Sequence, residues 1–168
     1  MKFENGTNVV YRNVGVCTVE DIETRSFDGE NNVEYYKLRP VSNSSSVYYI
    51  PVEKSGEQLR VLFSRDEINS LIDSIKGEAG IWIANSRERR LEFNKILHSD
   101  DYKSIIRMTK ALYNQQLEKQ KHNGHLSSSD EMILTSAENL MFQEFATVLG
   151  IERNEVRNYI INRTEQQS

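Results

Sequence analysis

Residues 8–40 read NVVYRNVGVCTVEDIETRSFDGENNVEYYKLRP. Their spacing decides the fold of the first third of the chain. β-Branched and aromatic residues cluster in Asn8-Val9-Val10-Tyr11, Val14 to Arg25 and Val33 to Arg39, and the pattern resumes in Val47-Tyr48-Tyr49-Ile50. Such runs form strands when turn residues bound them. Asp28-Gly29 supplies a hairpin-type turn, because Gly accepts the positive φ that such turns need, and Asn43-Ser44-Ser45-Ser46 supplies a second. Pro51 has no N–H to give a ladder and ends the fourth strand. Several short strands with few residues between them predict a small, strongly curved sheet or barrel. In Tyr35-Tyr36 and Tyr48-Tyr49 the strand alternation puts one ring inward and the other outward. The outward rings are candidates for a partner surface.

The period changes after Ser64. Ser64-Arg65-Asp66-Glu67 fits a capping box, and Ile68, Leu71, Ile72 and Ile75 follow at helical spacing up to a stop at Gly77. A second helix is predicted from Asn85 or Ser86, with Phe93, Ile96 and Leu97 on one face, and a third after Ser99-Asp100. The polar stretch Glu118 to Ser127 reads as an exposed connection. A further box, Ser128-Ser129-Asp130-Glu131, opens the most apolar helix, with Ile133, Leu134, Ala137, Leu140, Met141, Phe145 and Val148 inward and Gly150 as its stop. Val156, Tyr159 and Ile160 predict a last short helix. The expected class is therefore α+β: a β-barrel domain over residues 1–62, then a helical bundle of about five helices over residues 63–168.

The 168 residues, 38% of them hydrophobic, suffice for two small cores. MKFENGTNVVYRNVG has no apolar run of the signal-peptide kind, and no segment approaches the roughly 18 apolar residues of a membrane span, so a cytoplasmic location with no membrane partner is expected. The lone Cys17 has no disulfide partner and sits in the apolar run Val14-Gly15-Val16-Cys17, where it reads as a small buried hydrophobe. The net charge of −4 argues against wholesale coating of nucleic acid. That average hides an asymmetry. Between Ser86 and His122 nine basic residues face five acidic ones, whereas from Asn123 onward three face seven. The helical half thus offers one candidate phosphate-facing surface.

Catalytic chemistry finds no footing in the sequence. It has no Gly-rich phosphate loop or activated-nucleophile motif, and its three histidines are His98, His122 and His125. His122 and His125 are three apart, but no Cys stands near and they fall in the polar connection, so they read as solvated residues. Asp100-Asp101 is accounted for by helix capping. Neither an enzyme, a cofactor nor a small-molecule substrate is indicated. Binding features are more informative. Trp82, the single tryptophan, precedes a helix that opens Ser86-Arg87-Glu88-Arg89-Arg90. An amphipathic ring beside a cationic helix end suits insertion at a base step while arginines hold phosphates. The alternatives are a Trp82 packed in a seam between domains, and arginines that form a solvated face paired with Glu88 and Glu92.

The pattern Phe3-x-x-Gly6-x-x-Val9-Val10-Tyr11-x-x-x-Gly15-Val16, followed by Val19-Glu20-Asp21-Ile22-Glu23 and Tyr35-Tyr36-x-Leu38-x-Pro40, resembles the polymerase-interacting domain of the CarD family, also found in transcription-repair coupling factors. Ile50-Pro51, Trp82, Arg87, Arg90, Phe93 and the Ser99-Asp100 helix start extend the resemblance. It implies a Tudor-like barrel that pairs a strand edge with the RNA polymerase β subunit, and a helical domain lying on promoter DNA at the upstream edge of the melted region. A tryptophan wedge there would stabilise the open complex without reading base sequence. On this reading Arg25, Tyr36 and Tyr49 serve polymerase, while Trp82, Asn85, Arg87, Arg89 and Arg90 serve DNA. The sequence departs from the family in three places: Asn85 stands where several members carry the tryptophan, Tyr49 stands where a basic residue is common, and Glu131 and Met132 replace basic residues. The alternative is an adaptor on polymerase whose helical domain, acidic from Asp130 to Glu165, recruits a second protein.

Overall fold

Gly15–Arg25, the longest strand, organises the first part of the computed structural model, which describes residues 2–12, 14–29, 32–78 and 80–166. Residues 30 and 31, which follow the predicted Asp28-Gly29 turn, lie outside the described residues. Five strands, β1 (Asn8–Tyr11), β2 (Gly15–Arg25), β3 (Val33–Pro40), β4 (Tyr48–Pro51) and β5 (Leu59–Val61), form one antiparallel sheet in the order β4-β3-β2-β1-β5. Val9, Cys17, Val19, Tyr36, Leu38, Ile50 and Leu59 pack with Phe3 as its core.

The sheet does not close, which corrects the expected barrel. Its two edge strands, β4 and β5, are joined by a 3-10 helix over Val52–Glu57 that packs against β3, β4 and β5. Within this helix Ser55 Oγ donates a hydrogen bond to the Val52 carbonyl at 2.7 Å. Neither it nor β5 was legible, because VEKSGEQLRV carries only two apolar residues in strand-like alternation.

One irregularity in β2 sets what the outer face of the sheet carries. Cys17 and Val19 point into the core, but the register against β3 shifts between Val19 and Asp21. Side chains on a strand alternate, so one extra residue exchanges the two faces beyond it. Ile22 therefore returns to the core while Glu23 and Arg25 face out.

The second compact unit, residues 64–168, is helical. Its α-helices among the described residues are α1 (Arg65–Asp73), α2 (Ser86–Leu97), α3 (Tyr102–Lys121), α4 (Ser128–Leu149) and α5 (Val156–Glu165). Helix α4 touches all four others, which explains why it is the most apolar. Ile133, Leu134, Ala137, Met141 and Phe145 of α4 are buried, but Leu140, read as inward, is 37% exposed. At α1 the predicted box forms in full: Ser64 Oγ accepts the Glu67 N–H at 3.1 Å, and the Glu67 carboxylate accepts the Ser64 N–H at 2.7 Å.

Two helix ends differ from expectation. Helix α3 runs on through residues read as a loop, because Glu118 and Lys121 are good helix formers and pair at 2.9 Å one turn apart. Helix α4 is capped by Ser127 rather than Ser128, and the residue three positions on is Asp130. That one-residue shift frees Glu131 and puts Asp130 to another use. Gly150 ends α4 at φ +69, the left-handed C-terminal conformation that glycine alone adopts without strain.

Candidate functional site

The outer face of the sheet carries an unbroken run of paired charges and exposed rings. Arg39 forms a bidentate pair with Glu20, and Lys37 Nζ lies 3.5 Å from Glu20 and 3.8 Å from Glu23. The hydrogen bond from Arg39 holds the Glu20 carboxyl below its usual range. Glu23 in turn accepts the Arg25 Nε–H at 2.6 Å, and this bond raises the Arg25 pKa further.

Arg25 ends the run. Its guanidinium carbon lies 4.4 Å from the centroid of the Tyr49 ring, within cation–π range. Phe27, 62% exposed just before the Asp28-Gly29 turn, meets the edge of Tyr35 with centroids 4.9 Å apart and lies 5.8 Å from Tyr49. Arg25, Phe27, Tyr35 and Tyr49 thus form one aromatic and cationic patch beside β4, a strand bonded on one side only. The structure brings together two residues singled out in the sequence, Arg25 and Tyr49. It adds Phe27 and Tyr35, and the signal for Phe27 was a large aromatic directly before a turn.

Tyr36 has to be removed from this surface. It is fully buried, its ring lies 5.7 Å from Phe3, and its hydroxyl accepts the Phe3 N–H at 2.9 Å. Alternation places it opposite Tyr35, and β4 follows the same rule. Tyr48 turns inward against Tyr11 at 5.5 Å while Tyr49 turns out over Arg25.

In the helical unit, the segment before α2 is held by one arginine. Arg89, 6% exposed, donates from Nε and Nη2 to the two oxygens of Asp130 at 2.9 and 2.8 Å. Its Nη1 donates to the carbonyls of Ile83 at 2.7 Å and Ala84 at 3.3 Å. The flat guanidinium then covers the Trp82 ring at 4.2 Å, and Phe93 approaches the same ring at 6.1 Å. Asp130, 3% exposed, also accepts from Ser127 Oγ at 2.9 Å, so the cap of α4 and the anchor of Arg89 are one group.

This arrangement revises the predicted DNA set. Arg89 is spent on Asp130 and on two carbonyls, so it is a buried structural cation and offers nothing to a phosphate. Trp82 is half-buried and packs within the helical unit, against Phe93 and under Arg89. Asn85 caps α2, its Oδ1 accepting the N–H groups of Arg87 and Glu88 at 3.0 Å each. Arg87 and Arg90 are exposed and make no ion pair among the described residues, whereas Glu92 is taken by Lys95 at 2.9 Å.

The histidines gather nothing. His122 caps the end of α3 and His125 is exposed, and among the described residues no group of three or more His, Cys, Asp or Glu is arranged to hold a metal ion. Asp101 caps α3, accepting from Ser104 N at 3.2 Å and Ser104 Oγ at 2.6 Å. No helix among the described residues is long and apolar enough to cross a membrane.

Residues 3–62 match the family model of the CarD-like/TRCF RID domain. The match spans the five-stranded sheet and stops before α1; the helical unit lies outside it. A comparison of the whole chain with curated proteins returned no match. The N-terminal unit therefore carries an RNA polymerase-interacting domain, a protein-interaction module. The match assigns residues 3–62, and not the chain as a whole, to the CarD-like/TRCF RID family.

Proposed function

We propose that this protein is a non-enzymatic transcription regulator that binds the β subunit of RNA polymerase through its sheet and promoter DNA through its helical unit, stabilising the open complex. The observation that carries the reading is the Arg25–Tyr49 stack beside β4, inside a domain whose family interacts with polymerase. An edge strand offers unused N–H and C=O groups to a partner strand, and the patch alongside supplies side-chain specificity. Arg and exposed aromatics are the residue types that dominate such contacts. Arg25 needs no reorganisation to serve, since Glu23 and Tyr49 already fix its direction.

For DNA, the support is the exposed Arg87 and Arg90 on α2, which make no ion pair among the described residues, beside a pinned apolar segment. Two phosphate contacts are weak alone. Docking on polymerase raises their effective concentration, so they suffice once the sheet is bound. Contacts of this kind read backbone rather than sequence. The reading places the protein in the cytoplasm with the polymerase. One observation favours the adaptor alternative: Arg89, the central cation of the predicted basic cluster, is sequestered by Asp130, which leaves the phosphate-facing charge thin.

The discriminating experiment is the lifetime of a promoter open complex formed by the cognate polymerase, across a salt series, with the intact protein and with R87E/R90E. The DNA reading predicts a lengthening that R87E/R90E abolishes and that rising salt erodes. A lengthening indifferent to both would favour the adaptor.

A further inference from the structure

We propose that the helical unit carries a second docking site: a cleft between α4 and α5 that takes an extended segment of the RNA polymerase holoenzyme bearing one isolated Asp or Glu. The inference uses none of the residues assigned to DNA and goes beyond that reading. The cleft measures about 640 Å³ and is open to solvent. Glu138 and Phe142 of α4 form one wall, and the turn before α5 with the first turn of that helix forms the other. One cation there is already used. Arg157 donates from Nε to Glu138 at 2.8 Å and lies over the Tyr113 ring at 4.8 Å, so this pair is a neutral, fixed part of the wall. Three groups are left over. Arg153 is exposed and makes no ion pair among the described residues; its guanidinium is aimed by the Phe142 ring at 6.0 Å and by Asn139, whose Oδ1 accepts from Nη2. The side-chain amides of Asn154 and Asn158 line the same cleft and make no hydrogen bond among the described residues.

The lining decides among occupants. The phosphates of a nucleic acid would face Glu138 and Glu152 as well as the arginines, so the cleft gains little from neutralising them. A docked amphipathic helix needs a row of apolar pockets, whereas Phe142 is the one apolar side chain among the described residues of the lining and is 4% exposed. Small molecules are held where most of their surface is buried among apolar groups, which an open polar cleft does not provide. An extended polypeptide fits, because its own peptide groups supply the contacts.

A side-chain amide carries the same donor and acceptor as a peptide group, so each asparagine can accept an N–H and donate to a C=O of a passing chain. Asn154 and Asn158 are four residues apart, roughly 6–7 Å along the helix axis. Groups on the same side of an extended chain repeat every two residues, about 6.6 Å. The two amides therefore match successive same-side groups of one strand. Arg153 precedes Asn154 and offers a planar fork to a carboxylate on that strand. Glu152, one residue further back, repels a second carboxylate, so the acid has to be isolated rather than part of a run. The polymerase is the partner because the sheet belongs to a polymerase-interacting family. A segment of the same assembly meets the cleft at an effective concentration that makes two amides and one ion pair sufficient.

The test is an array of overlapping dodecapeptides that span every subunit of the cognate holoenzyme. It is probed with the full-length protein, N154A/N158A, R153E and R87E/R90E, and the strongest peptide is then titrated in solution. Alanine is the better helix former at both asparagine positions, so N154A/N158A keeps the fold. The proposal predicts that intact protein and R87E/R90E retain the same peptides, each with an acid that has no acidic neighbour. N154A/N158A should bind the titrated peptide at least about tenfold more weakly. R153E should lose that peptide and regain a version whose acid is replaced by Lys. If no holoenzyme peptide is retained, or if N154A/N158A and R153E retain them as intact protein does, the cleft is not a docking site and the DNA reading is untouched. Retention lost in R87E/R90E alone would move the contact to α2 and likewise overturn the proposal.

Discussion

The guanidinium of Arg25 lies 4.4 Å from the centre of the Tyr49 ring, although β2 and β4 are separated in the sheet by β3. Two features produce the meeting. The bulge after Val19 turns Arg25 to the outer face, and the alternation of β4 turns Tyr49 the same way. Without the bulge, Arg25 would point toward the core face. Insertion of one residue between Ile22 and Glu23 reverses the alternation beyond it, turns Arg25 inward and is expected to abolish polymerase binding while leaving the helical unit folded, as circular dichroism at 222 nm would report; deletion of Glu20, which removes the extra residue and leaves Arg25 outward, should retain binding.

Phe27 should behave as a principal contact rather than a bystander. A ring 62% exposed that is already packed against Tyr35 and Tyr49 enters an interface with most of its freedom lost. Phe27→Ser is expected to weaken binding to polymerase by about 1–3 kcal/mol. Its thermal unfolding should stay within about 0.5 kcal/mol of intact protein, because the residue contributes little to the core. Surface plasmon resonance and thermal melts check the two halves separately.

Removing Asp130 leaves Arg89 charged and buried without its partner. Breaking such a pair costs about 3–5 kcal/mol, more than the loss of a helix cap alone. Asp130→Ala is therefore expected to lower the urea midpoint markedly and to raise the exposure of Trp82, read as a red shift in its fluorescence at denaturant levels below the transition. An unshifted spectrum with an unchanged midpoint would mean that the latch does not hold the tryptophan.

Acid should loosen the structure where helix caps and ion pairs depend on ionised carboxylates. Asp101 has its pKa lowered by the hydrogen bonds from Ser104, and Asp73 by the one from Arg163. A depressed pKa contributes stability that is present above the unfolded value, near 3.8 for Asp, and that is lost as pH falls through the folded one. Stability is thus predicted to hold down to about pH 5 and to decline below it. Asp101→Asn, which keeps the cap but not the charge, should flatten that decline.

Cys17 is fully buried, and desolvation pushes its thiol up to about 11. At neutral pH almost none of it is thiolate, so an aromatic disulfide reagent should react only as fast as the sheet opens. Rapid labelling of the native protein would contradict the burial of this strand.

The fold was legible where each signal was local. Hairpin strands, the Ser64 box and the Gly150 stop are written in adjacent residues. The open sheet was not, since the link between its two edge strands, VEKSGE, carries no period of its own. The site shows the same division. Arg25 and Tyr49 were named through the family resemblance, and Tyr35 and Tyr36 could be parted only once the register was known. Arg89 looked like its neighbours Arg87 and Arg90 in the sequence. Its partner lies 41 residues away, at a position that a one-residue error in the α4 cap had assigned to another role.

The most direct measurement of the central claim is the equilibrium affinity of the full-length protein for its cognate RNA polymerase β subunit, intact against Arg25→Glu. Reversing the charge at the end of the Glu23–Arg25–Tyr49 run should cost at least about tenfold in affinity with no loss of thermal stability. Equal affinity for the two proteins would contradict the account, because the interface would then have to lie elsewhere on the domain.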